Sequence, residues 1–534
     1  MNKPLLLSLA AATLLSSNLS AESMYERIQA MELQMKKMQT ELATLKAQEK
    51  KSLAQDDEAD ESEDEDEKLT VAASDKEEDD EDDEDEEEPI QDQIDEIQET
   101  LTDLNKATNG NHLKFGVDYR FALDNMQYEM ADSSKQSNDA FMTNRFWLNM
   151  DWKANKNLSF TGQLAYNKAF GARSGANDPM SGSNETFDWI TNENAYDDTI
   201  RVRSAYFLYV NNTFLGTDIP WTFSIGRRPS TNGHLVNLRD DDGAASPMGH
   251  TINVEFDGLS AKFGLENLTG VNGMYAKLCA GRGLTNAAPK FSGAPYAEDT
   301  NANPDIDLLG LIFVPWTNGQ YGIATQYYYA NNLIDAINPM DQTQGFDTVG
   351  GMHSFTANFT VNGIGNEIND YLDDSMFFLS GAMSQTNPND GQNMLGSIES
   401  ETGYSIWAGL QMPSFMSDDG RWGIEYNQGS KYWRSITYAE DTNIGSKLAA
   451  RGDAYEAYFT EPLVDDILTL QVRYTYIDYK YSGSNGFFGG TTGGAMSISD
   501  IQAAAAAGNP QMMGMAQNTV DTAQDIRVYL RYRY

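Results

Sequence analysis

The stretch DIRVYLRYRY, residues 525–534, sets Arg527, Arg531 and Arg533 on alternate positions. Alternate positions of an extended chain share a face, so the three guanidiniums would project together. The same alternation carries Arg120 in HLKFGVDYRF, Arg145 in NRFWLNMDW, and Arg201 and Arg203 in TIRVRSAYFLYV. Guanidiniums gathered on one wall do one of two things. Facing water in a pore, they select anions. Facing carboxylates of the same wall, here Asp118 and Asp151, they form charge-assisted pairs that stiffen it. A second charged group, Asp240, Asp241 and Asp242, lies in GRRPSTNGHLVNLRDDDGAASPMGH, residues 226–250. Folded inward against the arginines, these three acids would set a transverse field across a constriction; left outside, they belong to an ordinary external loop. Adjacent acids lack the ligand spacing of a calcium loop.

Other chemistries are poorly provided for. Cys279 is the single cysteine, so no internal disulfide, CxxC zinc site or cysteine-held cluster can form. The four histidines, His112, His234, His250 and His353, have no nucleophile motif beside them. The sequence therefore predicts no enzyme, no catalytic residue, no cofactor and no metal.

The elements that must position the arginines are strands. In residues 113–121, Leu113, Phe115, Val117, Tyr119 and Phe121 alternate with Lys114, Gly116, Asp118 and Arg120, and period two means strand. The pattern recurs with Phe146, Leu148, Met150 and Trp152; with Leu158, Phe160, Leu164 and Tyr166; with Ile200, Val202, Tyr206 and Leu208; and with Leu468, Leu470, Val472 and Tyr474. Tyr209, Trp221, Trp316 and Trp422 sit beside turns. Strands of roughly ten residues with aromatic ends suit a membrane-spanning barrel. Mean hydropathy, −0.53, does not oppose this, because alternation cancels in an average. Short turns near residues 154–157, 316–320 and 462–465 alternate with long loops near 171–198, 331–350 and 483–523. That alternation predicts an all-β antiparallel transmembrane barrel of about 16 strands. Within residues 251–267, Asp257-Gly258 reads as a bulge rather than a hairpin. The segment 498–517 reads as a helix, capped by Asp500 and stopped by Gly508 and Pro510, that forms a cap or a plug.

Three zones precede the barrel. Residues 1–21 have the charged start, apolar run and small-residue end of a signal peptide. Residues 22–51 carry a heptad seam of Met24, Ile28, Met31, Met35, Met38, Leu42 and Leu45, which needs partner helices. Residues 52–88 form an acidic linker, disordered by composition; 56–88 alone hold 23 carboxylates against two lysines. Residues 89–108 resume the heptads with Ile90, Ile94, Ile97, Leu101 and Leu104, and 112–534 are the barrel.

Ile526, Val528, Leu530, Tyr532 and Tyr534 share the face opposite the arginines. This strand resembles the C-terminal targeting strand of Gram-negative outer-membrane proteins, which ends in an aromatic residue, most often Phe; Tyr534 departs by a hydroxyl. The whole layout resembles a group of bacterial porin-like outer-membrane proteins with an N-terminal coiled coil. That resemblance implies a passive channel for small hydrophilic or ionic solutes in the bacterial outer membrane, with the N-terminal segment in the periplasm. It implies partners as well: outer-membrane lipid, a homo-oligomer with a trimer favoured, and a cell-wall or periplasmic partner through the coiled coil, but no nucleic acid. Two alternatives stand beside the channel. One is a structural tether; the other is a barrel sheath of an electron-conduit complex, which would need well over 20 strands. The sign of selectivity stays open, since the barrel is net acidic while the arginines favour anions.

Overall fold

In the computed structural model, the residues described are 113–170, 200–284, 305–336, 346–365, 368–417, 419–437, 440–484 and 494–534. The proposed signal peptide, helices and acidic linker lie outside them.

Period-two segments from Leu113 onward do form strands, and they close. The first five are β1 (Leu113–Met130), β2 (Lys135–Lys153), β3 (Leu158–Ala169), β4 (Arg201–Asn211) and β5 (Trp221–Arg228). Three short strands follow: β6 (Gly233–His234), β7 (Ala245–Met248) and β8 (Ile252–Asn253). The wall resumes with β9 (Phe256–Gly264), β10 (Tyr275–Leu284), β11 (Ile306–Thr317), β12 (Tyr321–Ala336) and β13 (Phe346–Asn362). It continues through β14 (Met376–Pro388), β15 (Thr402–Pro413) and β16 (Arg421–Gly429). After the short β17 (Ile436–Thr437) come β18 (Gly452–Val464), β19 (Leu468–Tyr479) and β20 (Val520–Arg533). Sixteen of these pair antiparallel into one closed barrel; β6, β7, β8 and β17 stand outside the wall. Closure is made by β20 against β1, with Arg531 opposite Arg120 and Arg527 opposite Asp124.

Closure leaves the sixteen-strand wall without a free edge, which is what a hydrocarbon surrounding demands. The outer face is apolar: Phe115, Ile526, Leu530 and Tyr532 are exposed, while Asp118, Arg120, Asp124, Arg527 and Arg531 are buried on the inner face. Tyr209, Trp221, Trp316 and Trp422 fall at one rim, the short-turn end of their strands. At the other rim tyrosine replaces tryptophan: Tyr426, Tyr455 and Tyr476 stand on neighbouring strands, with centroids 5.1 and 6.4 Å apart. This closed barrel, apolar outside and ringed by aromatics, is an outer-membrane type of architecture.

Four local expectations are corrected. Asp257-Gly258 is neither hairpin nor bulge; β9 pairs without a register break with both β5 and β10. A bulge lies instead on β4, where Gln163 faces Ser204 and Leu164 faces Val202. The extra residue, Arg203, shifts the phase, so Tyr206 and Leu208 turn to the arginine side and Phe207 takes the outer position. The long loop near 331–350 is mostly strand, since β12 runs to Ala336 and β13 starts at Phe346. Ser497, not Asp500, caps the helix Ile498–Ala506; its side chain accepts from the Asp500 amide.

Two connections turn into the barrel. Residues 229–255, between β5 and β9, carry β6 to β8 and a short 3₁₀ helix, Val236–Asp240. Residues 430–451, between β16 and β18, carry β17. The two meet as a parallel pair, β17 with β8, and the Ile436 amide donates to the Thr251 carbonyl at 2.9 Å. Apolar side chains seat them on the wall. Ile252, Val254 and Ile436 pack with Leu308, Tyr328 and Met352, and Leu235, Val236 and Leu448 pack with Phe378 and Trp407. Each such burial contributes about 1.5–3 kcal/mol over exposure. A third element covers the long-loop mouth. The helices Ile498–Ala506 and Pro510–Asn518 lay Ile498, Ile501 and Ala516 against Met126, Ala454, Ile477 and Ala523 of the wall and Ile444 of the second inner loop.

The wall makes room for the second loop at two glycines. A Cβ on Gly403 would meet the Tyr432–Trp433 backbone at 2.2 Å, and one on Gly429 the Ala450 carbonyl oxygen at 2.0 Å. Gly403→Val should therefore leave the barrel closed while expelling residues 430–451. The expected result is a folded, heat-modifiable band on gels with new protease cleavage inside that loop.

Candidate functional site: the ionic hub of the lumen

The arginines converge on the two inner loops. Arg120, on β1, holds the carboxylate of Asp441 with both terminal nitrogens, one of them at 2.7 Å. Arg527, on β20, lies 3.5 Å from the same carboxylate, pairs with Asp124 at 2.5 Å, and donates to the Asp441 carbonyl at 2.5 Å. Arg473, on β19, donates to that carbonyl as well, at 2.5 Å. Three strands of the wall thus grip one residue of the second loop. Asp441 sits at φ 56°, a left-handed conformation that aspartate tolerates better than most residues. Burial acts to raise the Asp441 carboxyl, but Arg120 and Arg527 override it and hold the group well below the usual carboxylate range.

The first inner loop docks beside it. Asp242 pairs with Arg531 at 3.0 Å and Arg533 at 2.9 Å, and Tyr529 donates to Asp240 at 2.7 Å. The Asp241 carbonyl accepts from Arg533 at 3.3 Å. Burial outweighs the arginines at Asp242 and raises its carboxyl, whereas at Asp240 Arg239 prevails over burial and lowers it. From this loop Arg239 reaches back to Glu456 on β18 at 2.9 Å. Lys447 of the second loop binds Glu456 at 2.5 Å and Glu425 at 2.6 Å. His250 is enclosed between Ser380 and Ser405, at 2.7 and 2.9 Å; burial pushes it down to about 3, so it is a neutral structural group near neutral pH.

The expected site residues are therefore mostly brought together, but as ion pairs rather than as charges facing each other across open water. Arg145 approaches Asp118 at 3.4 Å, and Arg531 binds Asp118 at 2.5 Å. Arg203, with Glu255 at 3.6 Å, joins the group through Trp147: the guanidinium carbons of Arg145 and Arg203 lie 3.5 and 4.2 Å from its ring centroid. Arg201 opens β4, half-buried, and lines neither cavity described next. Asp151 is exposed and accepts from Thr161 at 2.9 Å. Asp441, Arg239, Arg473, Glu456, Lys447 and Glu425 were not anticipated. The one signal for the loop was its length on the long-loop side, residues 430–451.

Two polar cavities flank the hub. A vestibule of about 390 Å³ opens on the short-turn side, against Asn149, Gln163, Arg531, Arg533 and Tyr534. An inner cavity of about 20 Å³ lies among Arg145, Arg203, Arg239, Glu440 and Asp441. Trp147, Asn232 and Asp242 line both, so they form the neck between them.

Removing one partner of a buried pair leaves the other charge uncompensated, at about 3–5 kcal/mol. Asp441→Asn should destabilise docking of residues 430–451 by that order, read as a lower denaturant midpoint for loss of loop protection. Acid should act in the same sense. A depressed carboxyl contributes stability above its unfolded value and loses it as pH falls through its folded value. For Asp441 that window lies well below 3.8. Pepsin should accordingly leave residues 430–451 intact near pH 4 and cut them only in stronger acid.

Comparison with solved structures finds outer-membrane barrels. The trimer form of in-vitro folded OmpT, an outer membrane protein of Vibrio cholerae, is 12% identical over 79% of this chain and 99% of its own, with a TM-score of 0.40. OprB of Pseudomonas putida, in its high pH structure, is 13% identical over 82% and 97%, with a TM-score of 0.41. An anion-selective porin from Comamonas acidovorans is 10% identical over 79% and 99%, with a TM-score of 0.41. No curated protein matches the chain. The model of the family described as protein of unknown function (DUF3373) matches residues 135–534, and the chain belongs to that family.

Proposed function

We propose that the protein is a narrow outer-membrane channel for passive diffusion of small hydrophilic or ionic solutes, with a periplasmic N-terminal segment. The observation that carries this reading is the closed sixteen-strand barrel with an apolar outer face and a charged interior. Sixteen strands enclose more space than wall side chains fill, and here inner loops take it up, leaving the vestibule and the inner cavity. The path runs past Arg145, Arg203, Arg531 and Arg533, with Asp240 and Asp242 at the constriction; Arg120 and Arg527 stand behind it in the Asp441 clamp, and Asp241 beside it on the same loop. Because these charges are largely paired, conductance should be small and charge preference mild. The heptad segments 22–51 and 89–108 would assemble the barrels, with a trimer as the favoured state, and would offer a periplasmic or cell-wall partner its contact.

A structural scaffold is the second reading, and the filled lumen is what favours it. Sixteen strands speak against a sheath around a separate electron carrier, which needs a wider barrel.

Planar-bilayer recording of the full chain discriminates. The channel reading expects small, stable steps in groups of three, and a several-fold larger step for Asp441→Asn as the second loop loosens. Closed bilayers for both proteins, each verified as folded, would overturn the channel and leave the scaffold.

A further inference from the structure

A second basic group stands on the wall away from the hub, and no acid answers it. Lys262 on β9 and Lys277 on β10 are directly opposite in the register. Both point inward: Lys277 donates to Ser246 of the first inner loop, and the Lys262 ammonium lies 3.9 Å from the Tyr275 ring centroid. Arg228, at the end of β5, lies over the Tyr206 ring at 5.1 Å. Arg228 and Lys262 are both close enough to repel the Lys277 charge. Like charges directly opposite destabilise a sheet. Arg120 and Arg145 also stand opposite, but there Asp441 and Asp118 pair with them. Lys262, Lys277 and Arg228 form no ion pair among the described residues. The acids on β5, β9, β10 and β11 are Asp257 and Asp307, and both face outward, to Arg227 and Arg282. Glu255, whose field reaches Arg228, is taken by Arg203, Thr231 and the Ser230 amide. Glu266, in the turn after β9, accepts from the Gly273 amide. The Tyr534 terminus sits against Val117 on β1, five strands round the wall from β9. The cations are also reachable. All three residues are half-buried, and Lys262 Nζ and the Arg228 guanidinium nitrogens make no hydrogen bond yet are not sealed from solvent. Ring faces hold these two cations in place without neutralising them.

We infer that Lys262, Lys277 and Arg228 form a binding site for a small multivalent oxyanion of the phosphate type, on the lumen wall toward the short-turn mouth. Lys262 stands two residues before the end of β9 and Lys277 two after the start of β10, beside the short turn that joins them. Two ammoniums side by side call for more than one negative charge on one small body. A halide brings one, and a dicarboxylate spreads its charges along a chain. A tetrahedral oxyanion also turns acceptors in several directions, toward donors that come from three strands. Lysine and arginine lining a pore are a known means of selecting such anions. The inference names a solute class for the channel proposed above; it rests on that reading for its transport meaning, though not for binding.

Calorimetric titration of the detergent-folded full chain with inorganic phosphate tests it, with nitrate at matched ionic strength as the monovalent probe. Saturable phosphate binding that nitrate does not match is expected. Lys262→Gln should weaken phosphate about tenfold, the loss of one charge-assisted hydrogen bond. The same variant should raise the thermal midpoint of the phosphate-free protein, because a repulsion leaves with the charge. A lysine that only supports the wall would lower that midpoint and leave phosphate affinity unchanged, against the inference. Arg228→Gln should weaken phosphate similarly and serves if the lysine variant misfolds. No saturable phosphate binding, equal binding of nitrate, or unchanged affinity in the folded variants overturns the inference. Phosphate binding in a protein that never conducts would support the site and count against the channel alone.

Discussion

Everything in the lumen depends on one buried carboxylate. Asp441 is gripped by Arg120 from β1 and Arg527 from β20, and its carbonyl by Arg473 from β19. Those strands include the pair that closes the barrel. The contact therefore ties the loop that fills the channel to the seam that makes the channel a closed body. A guanidinium row without an acid would be self-repelling in a space with little water; an acid without the row would be driven neutral by burial. Each makes the other tenable, and the geometry is multidentate enough to offset the desolvation of both.

From that clamp the rest follows in layers. The second loop, once held, presents Ile436 to Ile252 and so completes the parallel pair with the first loop. The first loop brings its own acids to Arg531 and Arg533, further along β20 toward the short-turn rim. Arg239 of the first loop and Lys447 of the second then meet at Glu456 of the wall. Charge is nearly balanced across this set, which keeps the field local. Apolar seats beneath the loops supply cohesion that is insensitive to salt, while the ion pairs fix where the loops sit.

The wall was legible in the sequence because its signal is local. Alternation along residues 113–121 or 525–534 names the inner and outer face without reference to any other part of the chain, and the acids at 240–242 could be matched to the arginines from loop order. The β4 phase was misread because a single extra residue, Arg203, reverses faces without changing composition. The second loop was missed for a different reason. Asp441 and Arg120 are 321 residues apart, and neither the EDT around Asp441 nor the spacing of its neighbours carries a periodic trace. Closure of a barrel brings the first and last strands together, and only that closed geometry shows three arginines surrounding one point. The glycines at 403 and 429 are the nearest thing to a local clue, as bare backbone on the inner face where the loop passes.

The most direct test of the account is amide hydrogen exchange of the folded full chain, read on peptides covering residues 236–254 and 433–450. Docked loops tied by Asp441 predict slow exchange there, comparable to the neighbouring strands β16 and β18, with the Ile436 amide among the protected sites. Exchange as fast as an unstructured loop, in a barrel whose strands remain protected, would contradict it: the lumen would then be open and the clamp absent.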